Sequence, residues 1–206
     1  MGRTVFKGFA QMIRQPVWII LSISVIMVMM SNNTWVNFLG ITVKEMGAND
    51  SLVGQMWSVG AFSEIPVMLL GSRLLRRWGA KRMIATGFFF YGVRLILYAL
   101  MPIPEWVLGI NILQGLSFGC YWVGGVNYVS QITPEHLRAT GQSMLASFYN
   151  IASVTAGPLI GLSFDTLGSS RMYSLAAITA WTGLSVFVLG TLRLRRSVAL
   201  RVPADV

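Results

Sequence analysis

Apolar residues run along this chain in six long blocks, separated by short polar or basic breaks. The blocks cover residues 17–39, 53–72, 83–101, 105–130, 140–163 and 171–192. Each is close to the ~20 residues a helix needs to cross the hydrocarbon core of a bilayer. The pattern predicts an all-α integral membrane protein of six transmembrane helices. Residues 1–16 precede the helices and a basic tail, 193–206, follows them. The breaks are a short loop at 40–52, a basic hinge from Gly71 to Arg82, a tight turn at Met101–Pro104 and a loop at 131–139. The first block closes near Asn32, Asn33 and Asn37, polar residues a lipid-facing helix would avoid; Asn33 and Asn37, four apart, share a face. A soluble bundle of six buried helices would need charged outer faces, and the blocks do not supply them.

Composition agrees with a bilayer. Of 206 residues 54% are hydrophobic and 11% charged, where a soluble domain carries about 25% charged residues. The net charge of +9 is a topology signal, not a nucleic-acid footprint, because the basic residues sit in breaks and at the ends. One side collects Arg3, Lys7, Arg14, Arg73, Arg76, Arg77, Lys81, Arg82, Arg138, Arg193, Arg195, Arg196 and Arg201; the other collects Lys44 and Arg171. That asymmetry predicts a plasma (cell inner) membrane protein with both termini cytoplasmic. No small-residue cleavage site follows residues 1–16, so the first block is expected to remain as a span. Cys120 is the only cysteine, which leaves no disulfide framework or zinc set. His136, in a polar break with Glu135 and Arg138, reads as a solvated helix start, and no cofactor or metal is expected.

Within the blocks, charge is rare and therefore informative. Glu64 lies in the second block and Arg94 in the third. A charged side chain deep in a membrane usually faces the bundle interior and has a partner or a task. Counted outward from the hinge at 1.5 Å per residue, the two lie roughly 12 Å and 16 Å deep, close enough to pair. The fourth block carries Asn111, Gln114 and Ser117 at intervals of three, with Tyr121 four later, giving one polar face. This face is either a hydrogen-bonded seam between helices or a wall for a polar solute. Asn127, Gln142 and Asn150 are weaker candidates, and Tyr121 and Trp122 are candidate cavity-lining aromatics. Gly115-xxx-Gly119 and Gly157-xxx-Gly161 offer close helix packing. Trp18, Trp35, Trp57, Trp106 and Trp181 lie near block ends, where interfacial belts form.

GSRLLRRWGAKR resembles the loop joining the second and third helices of each half in the major facilitator superfamily. Gly71, Arg76, Arg77, Gly79, Lys81 and Arg82 match its pattern, while the acidic position is missing. WSVGAFSEIPVMLL followed by YGVRLILYAL resembles a narrower branch, the lactose-permease-like and nucleoside-permease-like proton symporters. There a Glu in helix eight and an Arg in helix nine lie near the substrate site, and Glu64 and Arg94 fall on them. LRATGQSMLASFYNIASVTAGPLIGLSFDTLGSSRMY resembles helix eleven and the turn beyond it. The similarity covers nearly the whole chain and matches the second half of that twelve-helix fold. It implies a carboxyl-terminal half whose partner is an amino-terminal six-helix half or a second copy, with residues 1–16 as the end of a cytoplasmic linker. Where the lactose permease has a His and a Glu in the fourth span, this chain has Gln114 and Ser117.

The expected function is secondary active transport by alternating access, in which two halves rock about a midplane site. The partners would be the bilayer, a small polar solute such as a sugar, nucleoside or aromatic acid, and protons carried by Glu64. Asn33, Asn37, Asn111, Gln114, Ser117 and Tyr121 would complete the site, and the basic hinge would control opening. The alternative is a non-transporting half or scaffold that needs a partner chain. An enzyme is not expected: no His pair or acid-rich motif lies in the blocks, and no GxxxxGK[ST] occurs.

Overall fold

The computed structural model describes residues 12–199, so residues 1–11 of the predicted linker and 200–206 of the predicted tail lie outside it. All regular elements among the described residues are helical. Helix α1 is Pro16–Glu45, α2 Asp50–Trp78 and α3 Ala80–Ala99. The fourth span is composite: α4 (Trp106–Asn111), a π-helical turn (Gly115–Gly119) and α5 (Cys120–Ile132). A short 3₁₀ turn, Glu135–Leu137, leads into α6 (Arg138–Leu167), and α7 is Ser169–Ala199. Six helical spans are long and apolar enough to cross a membrane. They occur in the predicted order.

The helices start and stop for local reasons. Pro16 opens α1, where its missing N–H costs nothing. The Asn49 side chain caps α2 by accepting from Leu52 N–H at 2.8 Å. Two joins are single glycines, Gly79 and Gly168, both at φ 77°, a conformation that residues with a Cβ rarely adopt. The first of these corrects the sequence reading of Gly71 to Arg82 as a hinge between helices. Helix α2 runs on through Trp78, so Arg73, Arg76 and Arg77 are helical, and Lys81 and Arg82 already belong to the first turn of α3. A Gly-bounded basic run reads as a break, yet Leu74 and Leu75 keep the helical stripe going. Likewise α1 continues six residues past the expected end at 39, so Asn32, Asn33 and Asn37 lie well inside the helix rather than at its close.

Burial is uneven. The core draws on α1, α3, the composite fourth span, α6 and α7, with α7 packed along both α1 and α3. By contrast α2 buries only the stripe Met56, Gly60, Val67 and Gly71, which faces the composite span. Helix α6 buries Met144, Leu145, Phe148, Ala152, Ala156 and Ile160 and leaves Val154 78% exposed on its other side. Two tryptophans assigned to interfacial belts are instead internal: Trp18 and Trp35 are buried. Trp18 meets Phe148 edge-on at 6.4 Å. For Trp35 the position near a block end was misleading because α1 continues to Glu45.

Candidate functional site

The site grows from a break in the fourth span. In a regular α-helix Gly115 N–H would bond the Asn111 carbonyl four residues back. Here the Ser63 hydroxyl of α2 is inserted between them. It accepts from Gly115 N–H at 3.0 Å, and its own hydrogen has Gly60 O at 2.7 Å and Asn111 O at 3.3 Å as acceptors. An inserted side chain of this kind is one of the identifiable causes of an interrupted helix, and a π turn is the local result. The insertion requires glycine at 115, because a Cβ there would overlap the Ser63 carbonyl oxygen. One turn on, a Cβ at Gly119 would lie 3.0 Å from Val67. Gly115-xxx-Gly119 is thus a close-approach face, as its spacing predicts. Gly157-xxx-Gly161 is not: a Cβ at Gly157 meets nothing within 4 Å, and one at Gly161 reaches only Phe38.

This break turns the polar face of the fourth span onto Arg94 of α3, which is 1% exposed. One terminal nitrogen of its guanidinium donates to Gln114 Oε1, in a short contact, and to Ser117 Oγ at 2.9 Å. The other donates to Tyr98 Oη at 2.8 Å and Asn111 Oδ1 at 3.4 Å. Tyr98 in turn donates to Asn111 Oδ1, also in a short contact, and Asn111 Nδ2 donates to the Met56 carbonyl of α2 at 2.7 Å. The Trp35 ring of α1 lies 4.7 Å from the guanidinium carbon, within the range of a cation–π contact. Trp35 is held in place by donating its indole N–H to Asn32 Oδ1 at 2.6 Å.

Glu64 and Arg94 do not form the direct pair expected from their matched depths. Gln114 stands between them: its Nε2 donates to Glu64 Oε1 at 3.0 Å while its Oε1 accepts from Arg94. This orientation of the amide gives each charge a hydrogen-bond partner at once. Equal depth along two helices fixes height but not rotation, and α2 turns Glu64 toward Gln114 at the half-buried edge of its stripe. The cation is therefore buried among neutral acceptors, and the carboxylate sits at the rim of the cluster.

The other sequence-selected residues fall into separate places. Asn33 is buried, but its amide donates to Met29 O at 2.7 Å and its Oδ1 accepts from Ser153 of α6 at 3.0 Å. Asn37 is exposed and donates to Asn33 O. Tyr121 is buried with its ring 5.7 Å from that of Phe88, and Trp122 is exposed, stacked on Phe118 at 5.8 Å. Asn127 bonds its own helix at Val123 O, Gln142 ties α6 to Val126 O of α5, and Asn150 is exposed. Of the hinge candidates, Gly71 is buried against Val123, Gly79 makes the turn, and Arg76, Arg77, Lys81 and Arg82 are exposed. Sequence reasoning missed Trp35, Tyr98 and Ser63. Tyr98 could have been found as the residue four after Arg94, on the same face. No acid, His and Cys cluster that could hold a metal occurs among the described residues.

The profile of the MFS_1 like family matches residues 2–175. Over 188 residues the chain is 27% identical to the uncharacterized transporter YwbF of Bacillus subtilis (strain 168), covering 87% of this chain and 45% of the relative. It is 33% identical over 128 residues to the putative nucleoside transporter YegT of Escherichia coli (strain K12), with 57% and 28% covered. It is 26% identical over 122 residues to the maltose permease of Geobacillus stearothermophilus, with 59% and 30% covered. The chain spans less than half the length of each of these relatives.

Proposed function

The chain belongs to the MFS_1 like family of the major facilitator superfamily, and on that premise we propose that it forms the carboxyl-terminal half of a secondary active transporter. The half works opposite an amino-terminal six-helix half, and the pair exposes a midplane site alternately to the two sides of the membrane. One observation carries this reading: a buried guanidinium, whose two terminal nitrogens donate to neutral acceptors while its Nε has no partner among the described residues, is linked through a single amide to a half-buried carboxylate at the rim. A scaffold helix pair has no need of a cation in its interior, which is costly to place there.

The same amide suggests how a proton and a solute are coupled. While Glu64 is ionised it accepts from Gln114 Nε2, and Gln114 Oε1 is free to serve Arg94. Once protonated, Glu64 becomes a donor, and its hydroxyl competes with Arg94 for Gln114 Oε1. The Arg94 N–H that Gln114 Oε1 accepted from is then released toward a hydroxyl-rich solute. A polar solute such as a sugar or nucleoside fits the amide and hydroxyl donors and acceptors, in keeping with the permease and transporter names among the relatives. The basic end of the bundle would face the cytoplasm of a plasma (inner) membrane.

The test is uptake of labelled sugars and nucleosides by cells expressing the full-length protein. Glu64→Gln is expected to reduce proton-driven accumulation about a hundredfold or more, the lower range for a positioned proton-transferring group. Solute exchange down its own gradient should persist. Undiminished accumulation in that variant would remove Glu64 from the coupling mechanism. Absence of uptake by the wild type for every such solute would favour the non-transporting scaffold.

A further inference from the structure

Away from the polar cluster, α3 and α7 separate at the basic end of the bundle. Deeper in, they are in close contact, with Gly92 lying directly against the Trp181 indole. Toward the basic end they leave a groove of about 440 Å³. Phe187, Val188, Leu192 and Arg195 line it from one face of α7, and Lys81 and Arg82 line it from the first turn of α3. Its floor is fixed: Phe187 is buried between Phe88 and Tyr128, with ring centroids at 5.8 and 5.9 Å. Lys81 Nζ lies 5.8 Å from the Tyr128 ring, which holds one charge over that floor.

The groove has three exposed cations at its mouth and apolar walls below them. From Phe187 to Arg195 it runs about 12 Å along the axis, at 1.5 Å per residue. The ion pairs among the described residues, Lys44–Asp50 and Glu135–Arg138, leave Lys81, Arg82 and Arg195 without a carboxylate. The neighbouring surface of α7 is apolar and exposed at Leu189 and Leu192, as expected of a lipid-facing helix. A free anion would use the cations and leave the apolar walls wet; a neutral lipid would use the walls and leave the cations uncompensated. Basic pockets between transmembrane helices at an interface hold anionic headgroups in this way. We infer that the α3–α7 groove binds one anionic phospholipid, its phosphate on Lys81, Arg82 and Arg195 and an acyl chain along Val188 and Leu192. This assigns Lys81 and Arg82 a partner other than the gating loop in which their sequence motif placed them.

Native mass spectrometry of the full-length protein in detergent tests this, with dioleoylphosphatidylglycerol, dioleoylphosphatidylcholine and inorganic phosphate as probes. The wild type is expected to retain one phosphatidylglycerol and to release phosphatidylcholine and phosphate. Each neutralised cation should weaken retention about fivefold, the equivalent of about 1 kcal/mol per basic residue near the surface. The triple variant Lys81→Gln/Arg82→Gln/Arg195→Gln should therefore lose it. Arg73→Gln/Arg76→Gln/Arg138→Gln removes the same charge outside the groove and should keep it, and Arg82→Lys should weaken it less than Arg82→Gln. Equal loss in the two triple variants, equal retention of both lipids, or protection by phosphate alone would each overturn the assignment.

Discussion

Two glycine pairs with the same spacing, Gly115-xxx-Gly119 and Gly157-xxx-Gly161, meet opposite fates in this molecule. The first is pressed against α2 so closely that a hydroxyl from that helix replaces a rung of its hydrogen-bond ladder. The second sits on a side of α6 where no described backbone approaches. A small-residue pair is therefore a permission and not a contact; what uses it depends on the partner helix. At Gly115 the partner brings Ser63, Glu64 and the Met56 carbonyl to the polar cluster. At Gly157 the glycine has a different local reason, since it precedes Pro158, whose ring crowds a Cβ on the residue before it.

The contrast can be broken most severely at its tight end. Gly115→Val forces a branched side chain into the Ser63 backbone, and overpacking of this kind should cost about 3 kcal/mol or more. Thermal unfolding of the purified full-length protein would show it as a large drop in Tm. An unchanged Tm would mean that α2 does not approach as closely as described. Next comes the cluster that this approach assembles. Arg94→Lys keeps the charge, but one ammonium cannot span Gln114, Ser117, Tyr98 and Asn111, and a loss of about 2 kcal/mol is expected from acceptors left without a donor. Equal stability of the Lys variant would show that charge alone matters. Ser63→Ala removes the inserted hydroxyl but allows Gly115 N–H to return to Asn111 O, so about 1 kcal/mol is expected. Hydrogen exchange at the Gly115 amide would separate loss of the bond from its replacement. At the open end the sign reverses. Gly161→Ala adds only an ordinary contact with Phe38 and should gain up to about 1 kcal/mol of helix propensity. A fall in Tm instead would reveal a neighbour pressed against that face in the full-length protein.

What the sequence revealed and what it concealed follow the same division. Six spans were legible because hydropathy sums over ~20 residues and is insensitive to a shift of a few. Asn111, Gln114 and Ser117 were legible as one face because three-residue steps survive the start of the π turn. The direct Glu64–Arg94 pair was not a sound expectation, because depth along two helices says nothing about their rotation. Trp35 and Ser63 were invisible for a related reason: neither departs from what a membrane helix ordinarily carries, and each acquires its role only from the helix opposite. The end of α2 was misplaced because arginines and a glycine resemble a loop, although a helix projecting beyond the apolar layer can carry them equally well.

The hydroxyl of Ser63 has a further effect, on the angular phase of the fourth span. Each residue of an α-helix advances the side chains by 100°, and a π turn absorbs one residue more than an α turn. The segments on either side of Gly115–Gly119 are therefore offset by about one such step. Helix α4 thereby directs Asn111 to α2, while α5 directs Tyr121 to Phe88 of α3. A helical wheel drawn straight through residues 106–132 would blur the two directions into one, and so would a residue-for-residue alignment with a relative whose helix has no such turn.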